Sequence, residues 1–276
     1  MALAASLARR YGAGMTHPTF DQGLALLQQL EGCDHPSLFD ALAPLAPDLA
    51  TMAVSFVYGQ LYTRPQLTLP QRQLVTVAAL AALGNARPQL QFHIGGALNV
   101  GCSPQEIVEL MLHLAVYAGF PAALNGLFAA QEVFRARGEA PEPAAPPVPP
   151  QADRYRAGWQ ALQAIDGHAG EQVIASLAAI APDLGRFIIE FAFGDVYTRP
   201  GLTLLQRELA TVAALAAMGT AAPQLRVHLH GLLNVGGTPA QMTEALMHIA
   251  AYAGFPAAIN GVLLAQQVLA ERPTLD

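Results

Sequence analysis

Lysine is absent from this 276-residue chain; all 14 basic residues are arginine. Without lysine there is no Schiff base to a carbonyl substrate or to pyridoxal phosphate, and no carrier chemistry on an amine. Arginine is the only permanent cation, and its planar fork suits bidentate hydrogen bonding to a carboxylate. Charge of either sign is scarce: 12% of residues are charged and 53% are hydrophobic, where about 25% charged is usual. So little charge implies that another domain or subunit covers much of the surface. The net charge is −6 and no basic run exists, so nucleic acid is not an expected partner. The two cysteines, Cys33 and Cys102, form neither a CxxC pair nor a metal spacing, and are too few for a disulfide framework. They read as idle thiols and fit a reducing cytoplasm. The opening MALAASLARRYGAG places Arg9 and Arg10 after its apolar start, the wrong order for a secretory signal. The run 110–131 carries no charge and is long enough to span a bilayer, but Gly119-Phe120-Pro121 interrupts it and His113 and Asn125 lie inside. Two adjoining buried helices explain it better than a membrane span.

What is present is written twice. FVYGQLYTRPQLTLPQRQLVTVAALAALG (56–84) lies over FAFGDVYTRPGLTLLQRELATVAALAAMG (191–219), an offset of 135. At the same offset PQLQFHIGGALNVG (88–101) lies over PQLRVHLHGLLNVG (223–236), and HLAVYAGFPAALNG (113–126) over HIAAYAGFPAAING (248–261). The Pro-rich stretch 138–151 reads as a semi-rigid linker. The expected organisation is a domain at 15–137, the linker, and a second domain of the same fold at 152–276. Each copy reads as helices, with no persuasive alternating strand pattern. Thr68-x-x-Gln71 and Thr203-x-x-Gln206 are capping boxes, and the helices they start end at Gly84 and Gly219. Pro88 and Pro223 suit the first position of the next helix. Ser103-Pro-Gln-Glu106 and Thr238-Pro-Ala-Gln241 start a third, which should run to about Gly119 or Gly254. Gly-Phe-Pro then punctuates the entry to the last long helix.

Four side-chain groups can carry chemistry. Glu109, His113 and Tyr117, like Glu244, His248 and Tyr252, are spaced by four and stack along one helical stripe. They form either an acid/base and substrate-binding set or a polar seam between helices. His93 and His228 sit in apolar helices, as candidate acid/base groups or satisfied core histidines. The second copy adds His230, a weak zinc hint with no third ligand at a useful spacing. Arg64, Arg72, Arg199 and Arg207 lie at or before the start of an apolar helix and need an anion, either a glutamate across an interface or a substrate carboxylate. Glu208 follows Arg207, where the first copy has Gln73, so the copies need not be equivalent.

The run H-x5-N-x-G-x-[ST]-P followed by E-x3-H-x3-Y-x-G-F-P resembles the carboxymuconolactone decarboxylase family, of the superfamily that contains the alkylhydroperoxidase D proteins. The resemblance covers most of both halves. It implies an all-α chain of two tandem helical domains of alkylhydroperoxidase D type, in a ring with sites near subunit contacts; three tandem chains would supply six domains, hence a homotrimer. The peroxidase branch carries a CxxC pair before its histidine. Here Ala221 and Gln224 stand at those places before His228, and Ala86 and Gln89 before His93, so disulfide-based peroxide reduction is not expected. The decarboxylase branch removes carbon dioxide from an unsaturated carboxylated lactone with neither metal nor organic cofactor. The expectation is therefore a cofactor-independent decarboxylase, or a related isomerase or cyclase, of a small unsaturated acid or lactone. Its catalytic candidates are His93 and His228, then His113 and His248, then Glu208. Arg64, Arg72, Arg199, Arg207, Tyr117 and Tyr252 are the substrate-binding candidates. The rivals are a non-catalytic helical scaffold or ligand binder and a metal-dependent histidine enzyme.

Overall fold

The computed structural model describes residues 18–141 and 151–272, and every regular element among them is a helix. Residues 142–150, most of the expected linker, and the N-terminal stretch lie outside the described residues. The first half contains α1 (Pro18–Glu31), α2 (Ser37–Leu42), α3 (Pro47–Ala53), a π-helix (Val54–Leu61), α4 (Leu69–Leu83), α5 (Arg87–Asn99), α6 (Pro104–Tyr117) and α7 (Phe120–Arg137). The second half repeats the order: α8 (Gln151–Ile165), α9 (Gly167–Leu177), α10 (Pro182–Phe187), a π-helix (Ile188–Tyr197), α11 (Leu204–Met218), α12 (Ala222–Asn234), α13 (Pro239–His248), α14 (Ala250–Ala253) and α15 (Phe255–Ala270).

The four capping boxes form, at Thr68, Ser103, Thr203 and Thr238, each with a reciprocal side-chain bond that satisfies free amides of the first turn. Gly84 and Gly219 close α4 and α11 at φ of 69° and 68°, a conformation that only glycine adopts without strain. Two details differ from the sequence reading. Pro88 and Pro223 take the second helical position, because Arg87 and Ala222 open those helices. The helix of His248 stops there, and α14 continues it as a separate turn after Ile249.

The central helices α4 and α11 pack on each other. They carry buried Leu74, Val77 and Leu80 from one half and Leu209, Val212 and Leu215 from the other into one continuous core. The halves therefore share a core. Each half also has a smaller apolar cluster that admits one tyrosine from its counterpart: Tyr252 joins the cluster of Phe20 and Tyr62, and Tyr117 that of Phe193 and Tyr197. In the second half α8 lies flush against the π-helix Ile188–Tyr197. A Cβ on Gly158 would stand 2.0 Å from the Ile189 carbonyl oxygen, so only glycine permits that approach. Among the described residues no helix is long and apolar enough to cross a membrane.

A candidate active site in the second half

The shared core brings α6 of the first half against the π-helix and α11 of the second. Buried polar side chains meet at that seam. Thr211 on α11 donates to the carbonyl of Arg207 (2.9 Å), so it accepts from His113 Nε2 (2.7 Å). At the related position His248 Nε2 lies 2.8 Å from Thr76 Oγ1. Both imidazoles are completely buried, and burial first, then the neighbouring Arg207 or Arg72, holds their pKa well below the ordinary value. They are neutral pegs between the halves. Neither lines the cavity described below, so the structure does not bring these two candidates to it.

The arginines are also committed. Arg199 binds Glu109 with both Nε (2.8 Å) and Nη2 (2.7 Å), and Arg207 stands behind it at 3.6 Å. In the mirror arrangement Arg64 Nε (2.9 Å) and Arg72 Nη2 (2.7 Å) hold Glu244. Arg72, Arg207 and Glu109 are inaccessible to solvent, and Glu244 is nearly so. Of the two anions open to these arginines, the structure supplies the glutamate across the interface. A buried ion pair of this kind fixes how the halves dock; losing one partner strands a charge.

The two halves diverge at His93 and His228. His228 Nδ1 donates to Glu208 Oε2 (2.9 Å). Tyr197 donates to Glu208 Oε1 (2.6 Å), and Tyr117, from the other half, reaches the Tyr197 hydroxyl (2.6 Å). The Tyr117 ring also meets the His228 ring edge to face, with centroids 4.9 Å apart. Burial pulls the His228 pKa down, but the charge and hydrogen bond of Glu208, with Asp166 beyond it, outweigh burial and leave it raised. With Nδ1 held, Nε2 is the nitrogen left for a ligand.

In the first half His93 Nδ1 donates to the neutral Gln73 Oε1 (3.1 Å), and Gln73 Nε2 donates to Tyr62 (3.2 Å). Tyr62 and Tyr252 touch at 2.7 Å, as their counterparts do. No carboxylate opposes burial here, and the His93 pKa falls to about 3. A carboxylate in place of an amide behind the ring, with Asp166 beyond it, moves the two histidines in opposite directions.

His228 lines a cavity of about 320 Å³. Its walls are mostly hydrocarbon, including Val116, Leu162, Ile174, Ile188 and Phe193; Tyr117, Asp166, Gln224 and His228 are its polar groups. Asp166, just past the end of α8, was not singled out by sequence reasoning. Its Oδ1 lies 3.9 Å from His228 Nδ1 and has no hydrogen-bond partner. Burial pushes its pKa up to about 6, with His228 opposing and Glu208 adding. Tyr62 and Tyr197 were missed too, although both stand in the repeated YTRP phrase. His230 pairs with Glu271 outside this cluster, and among the described residues no group of three His, Cys, Asp or Glu could hold a metal. Burial pushes the Cys102 thiol up to about 12.

The arrangement offers an imidazole whose pKa is raised, a buried acid behind it, a tyrosine relay and an apolar chamber, a set suited to proton transfer. Comparison with known proteins agrees with the fold. One solved structure, assigned as a gamma-carboxymuconolactone decarboxylase subunit from Burkholderia xenovorans, is 23% identical and superposes with a TM-score of 0.57, covering 92% of this chain and 98% of that one. That likeness concerns the fold alone. A 4-carboxymuconolactone decarboxylase of Acinetobacter baylyi is 35% identical over 124 residues, 45% of this chain and 92% of that protein. A nitrosuccinic acid decarboxylase of Metarhizium robertsii is 35% identical over 82 residues, 30% of this chain and 57% of that protein. The model of the carboxymuconolactone decarboxylase family matches residues 47–132 and again 182–267, together more than half of the chain. With the same histidine-bearing helices and the same cross-braced halves in both segments, the chain belongs to the carboxymuconolactone decarboxylase family.

Proposed function

We propose that the chain is a decarboxylase of a small unsaturated carboxylic acid or lactone, and that it works by proton transfer at the second-half site. The observation that carries this reading is the contact of Glu208 with His228 beside the cavity, which His93 and Gln73 lack. In the proposed reaction the bond between the carboxylate carbon and its neighbour breaks. The electron pair stays on the substrate and spreads into the conjugated system, and carbon dioxide leaves. His228 Nε2 then delivers its proton to the carbon, and solvent restores it. The apolar wall favours the step, because the compact charge of the carboxylate is dispersed into the conjugated system as neutral carbon dioxide departs and is then cancelled by the proton. Glu208 favours the protonated imidazole and orients it; Tyr197 holds Glu208, and Tyr117 holds Tyr197. Proton transfer of this kind needs neither a metal nor an organic cofactor, and without a CxxC pair a dithiol peroxidase is not proposed. His93, neutral and paired with glutamine, is assigned no proton transfer.

The test is purified, chelator-treated protein given 4-carboxymuconolactone and simpler unsaturated acids, with release of carbon dioxide followed. Turnover that survives in His93→Ala and disappears in His228→Ala supports the reading. Turnover that survives His228→Ala overturns it. Isomerisation or cyclisation without carbon dioxide would assign the same proton-transfer groups to a recruited isomerase.

The proposed assembly is a trimer. Phe120, Leu124 and Phe128 form an exposed stripe on α7, and Phe255, Ile259 and Leu263, at the same offset of 135, form one on α15. Such paired stripes suit contact between copies in a closed ring. Light scattering should return about three times the 29.0 kDa chain mass; a monomer at micromolar concentration would contradict the ring.

A further inference from the structure

When a carboxylate leaves as carbon dioxide, the electron pair left behind comes to rest on an atom that can bear it. In a conjugated acid or lactone that atom is an oxygen, and a fixed hydrogen-bond donor aimed at it speeds the step. His228 supplies the proton for carbon, so a donor for oxygen has to come from the other polar groups lining the cavity, Tyr117, Asp166 and Gln224. Tyr117 meets the Tyr197 hydroxyl, and Gln224 is exposed. Asp166 is 7% exposed, and its Oδ1 has no hydrogen-bond partner. A buried carboxyl with no partner is costly unless it meets a ligand or holds a proton.

Asp166 and Glu208 converge on one point. A Cβ on Gly231 would stand 2.8 Å from Glu208 Oε2 and 3.4 Å from Asp166 Oδ1, so the two oxygens flank the same bare Cα of α12. Two acids this close, beside an apolar chamber, share a proton. Glu208 accepts from His228 Nδ1 (2.9 Å) and from Tyr197 (2.6 Å), bonds that favour its ionised form. Asp166 Oδ1 accepts none, so the proton falls to Asp166, whose carboxyl then carries one O–H donor. Burial acts in the same direction, pushing its pKa up to about 6, with His228 opposing and Glu208 adding. The first half has no such pair. At Gly96, the counterpart of Gly231, the same Cβ meets the Leu30 carbonyl oxygen at 3.5 Å and the Gln73 amide oxygen at 3.6 Å. Glu31, the counterpart of Asp166, accepts the Ser37 amide at 3.0 and 3.2 Å and secures the start of α2.

We infer that Asp166 is a catalytic residue of the second-half site, and that as a neutral carboxylic acid it donates a hydrogen bond to the substrate oxygen on which the electron pair comes to rest. This role rests on the acid/base reading of His228 and Glu208. The bond from carbon to the carboxylate breaks, its pair passes through the double bond to that oxygen, and carbon dioxide leaves. The Asp166 proton stays on Asp166. As the pair returns from oxygen, His228 Nε2 gives its proton to the carbon, and solvent restores it. The hydrogen bond strengthens as the oxygen gains charge, so it lowers the barrier more than it tightens binding. It also narrows the substrate to acids with a carbonyl conjugated to the carbon that loses carbon dioxide. A second carboxylate is compatible with this role: the exposed Gln224 lines the same cavity, and a carboxylate beside it keeps its water.

The titratable groups facing Asp166 are His228 from α12, Glu208 from α11 and Tyr117 from α6. Tyr197 of the π-helix is turned to Glu208. On α9, His168 and Glu171 pair with each other at the surface, and the cavity-lining residues of α9 and of the π-helix are uncharged.

The experiment is infrared difference spectroscopy of the full chain with the unsubstituted butenolide, alongside pH–rate profiles for carbon dioxide release from 4-carboxymuconolactone. The butenolide is a neutral lactone with the conjugated carbonyl and no carboxylate to lose. Binding should lower its carbonyl stretch at pH 5, and the lowering should fade as pH rises through about 6. The lowering should persist across that range in Asp166→Asn, whose amide donates at every pH, and vanish in Asp166→Ala. Release of carbon dioxide should slow about 10²–10³-fold in Asp166→Ala and by no more than about tenfold in Asp166→Asn. In the unaltered protein kcat/KM should fall about tenfold per pH unit above pH 6, and Asp166→Asn should keep only the limb set by His228. A carbonyl stretch that is the same at both ends of the pH range or in Asp166→Ala, failure of the butenolide to bind, or a folded Asp166→Asn as slow as Asp166→Ala would each overturn the inference. The pH series on the unaltered protein decides the matter even if both variants misfold. Carbon dioxide release without a carbonyl shift would overturn this inference alone. A pH-dependent shift in a protein that releases carbon dioxide from no acid would overturn the decarboxylase reading and leave Asp166 as the donor to a conjugated carbonyl.

Discussion

At position 208 the chain carries a carboxylate and at 73, its counterpart, an amide, and that difference, with Asp166 beyond Glu208, shifts the two related histidines in opposite directions. Glu208→Gln should move His228 toward the behaviour of His93, whose pKa lies near 3. Turnover should drop by about 10²–10⁴-fold, the usual scale of a lost acid/base group, and the titration of the His228 ring resonances should move to lower pH. Gln73→Glu should do the reverse at His93, raising its pKa without creating turnover unless the first half also opens a chamber. A second prediction concerns stability. Asp166 binds its proton more tightly in the folded chain than unfolded, with a pKa of about 6 against 3.8. Its contribution is present in full below pH 3.8 and is lost as pH rises through about 6. The same sign holds for His228, whose raised value keeps its contribution up to pH 6.5 and loses it above. Asp166→Asn should therefore leave stability unchanged near pH 3.5 and raise it at pH 8 by on the order of 3 kcal/mol, read from urea unfolding. Equal stability of the two proteins at pH 8 would show that the folded carboxyl is not desolvated.

At the scale of elements, the histidine helix matters less for its own propensity than for what holds its neighbours. The π-helix Ile188–Tyr197 ends in Tyr197, and widened turns of this kind often mark functional positions. Its register depends on Gly158 and Gly194, where an added Cβ would stand 2.0 Å from the Ile189 carbonyl oxygen and 2.5 Å from that of Arg154. Gly158→Ala should cost about 1–3 kcal/mol by overpacking, and should also shift Tyr197 away from Glu208 and lower turnover. The buried pairs act similarly between elements. Glu109→Ala leaves Arg207 enclosed without an anion, so about 3–5 kcal/mol should be lost, whereas Arg199→Ala, at the partly exposed end of the same pair, should cost less. Chemical denaturation of the two variants side by side checks the ranking.

For the whole molecule, duplication has made one body whose halves complete each other. Leu74, Leu209 and Leu246 belong to one core, and each histidine cluster includes a tyrosine from the opposite half. Segments 1–141 and 151–276 made separately should expose that core and give no cooperative thermal transition; mixed, they should recover a transition and some turnover. Tyr117→Phe, a change in the first half, should impair the site in the second by removing the hydroxyl that meets Tyr197. Full activity in that variant would mean that the relay stops at Tyr197.

Much of this was legible in the chain. The offset of 135 announced two copies of one helical unit, and Thr68, Ser103, Thr203 and Thr238 marked helix starts that the structure contains. These are local properties: a capping box closes within four residues, and a glycine's positive φ is decided by the next few bonds. The difference between Gln73 and Glu208 was visible for the same reason. What no spacing revealed was which anion each arginine holds. Arg64 and Glu244 are 180 residues apart, and Arg199 and Glu109 are 90 apart. Nor did the sequence mark Asp166, an acid at the end of an ordinary helix until α11 and α12 bring Glu208 and His228 beside it. The helices and their repetition follow from hydrogen bonds and apolar periodicity between near neighbours. Which histidine is raised and which is lowered in pKa, and which carboxyl lines an apolar cavity, follows from burial and from charges that only the folded chain places a few ångströms apart.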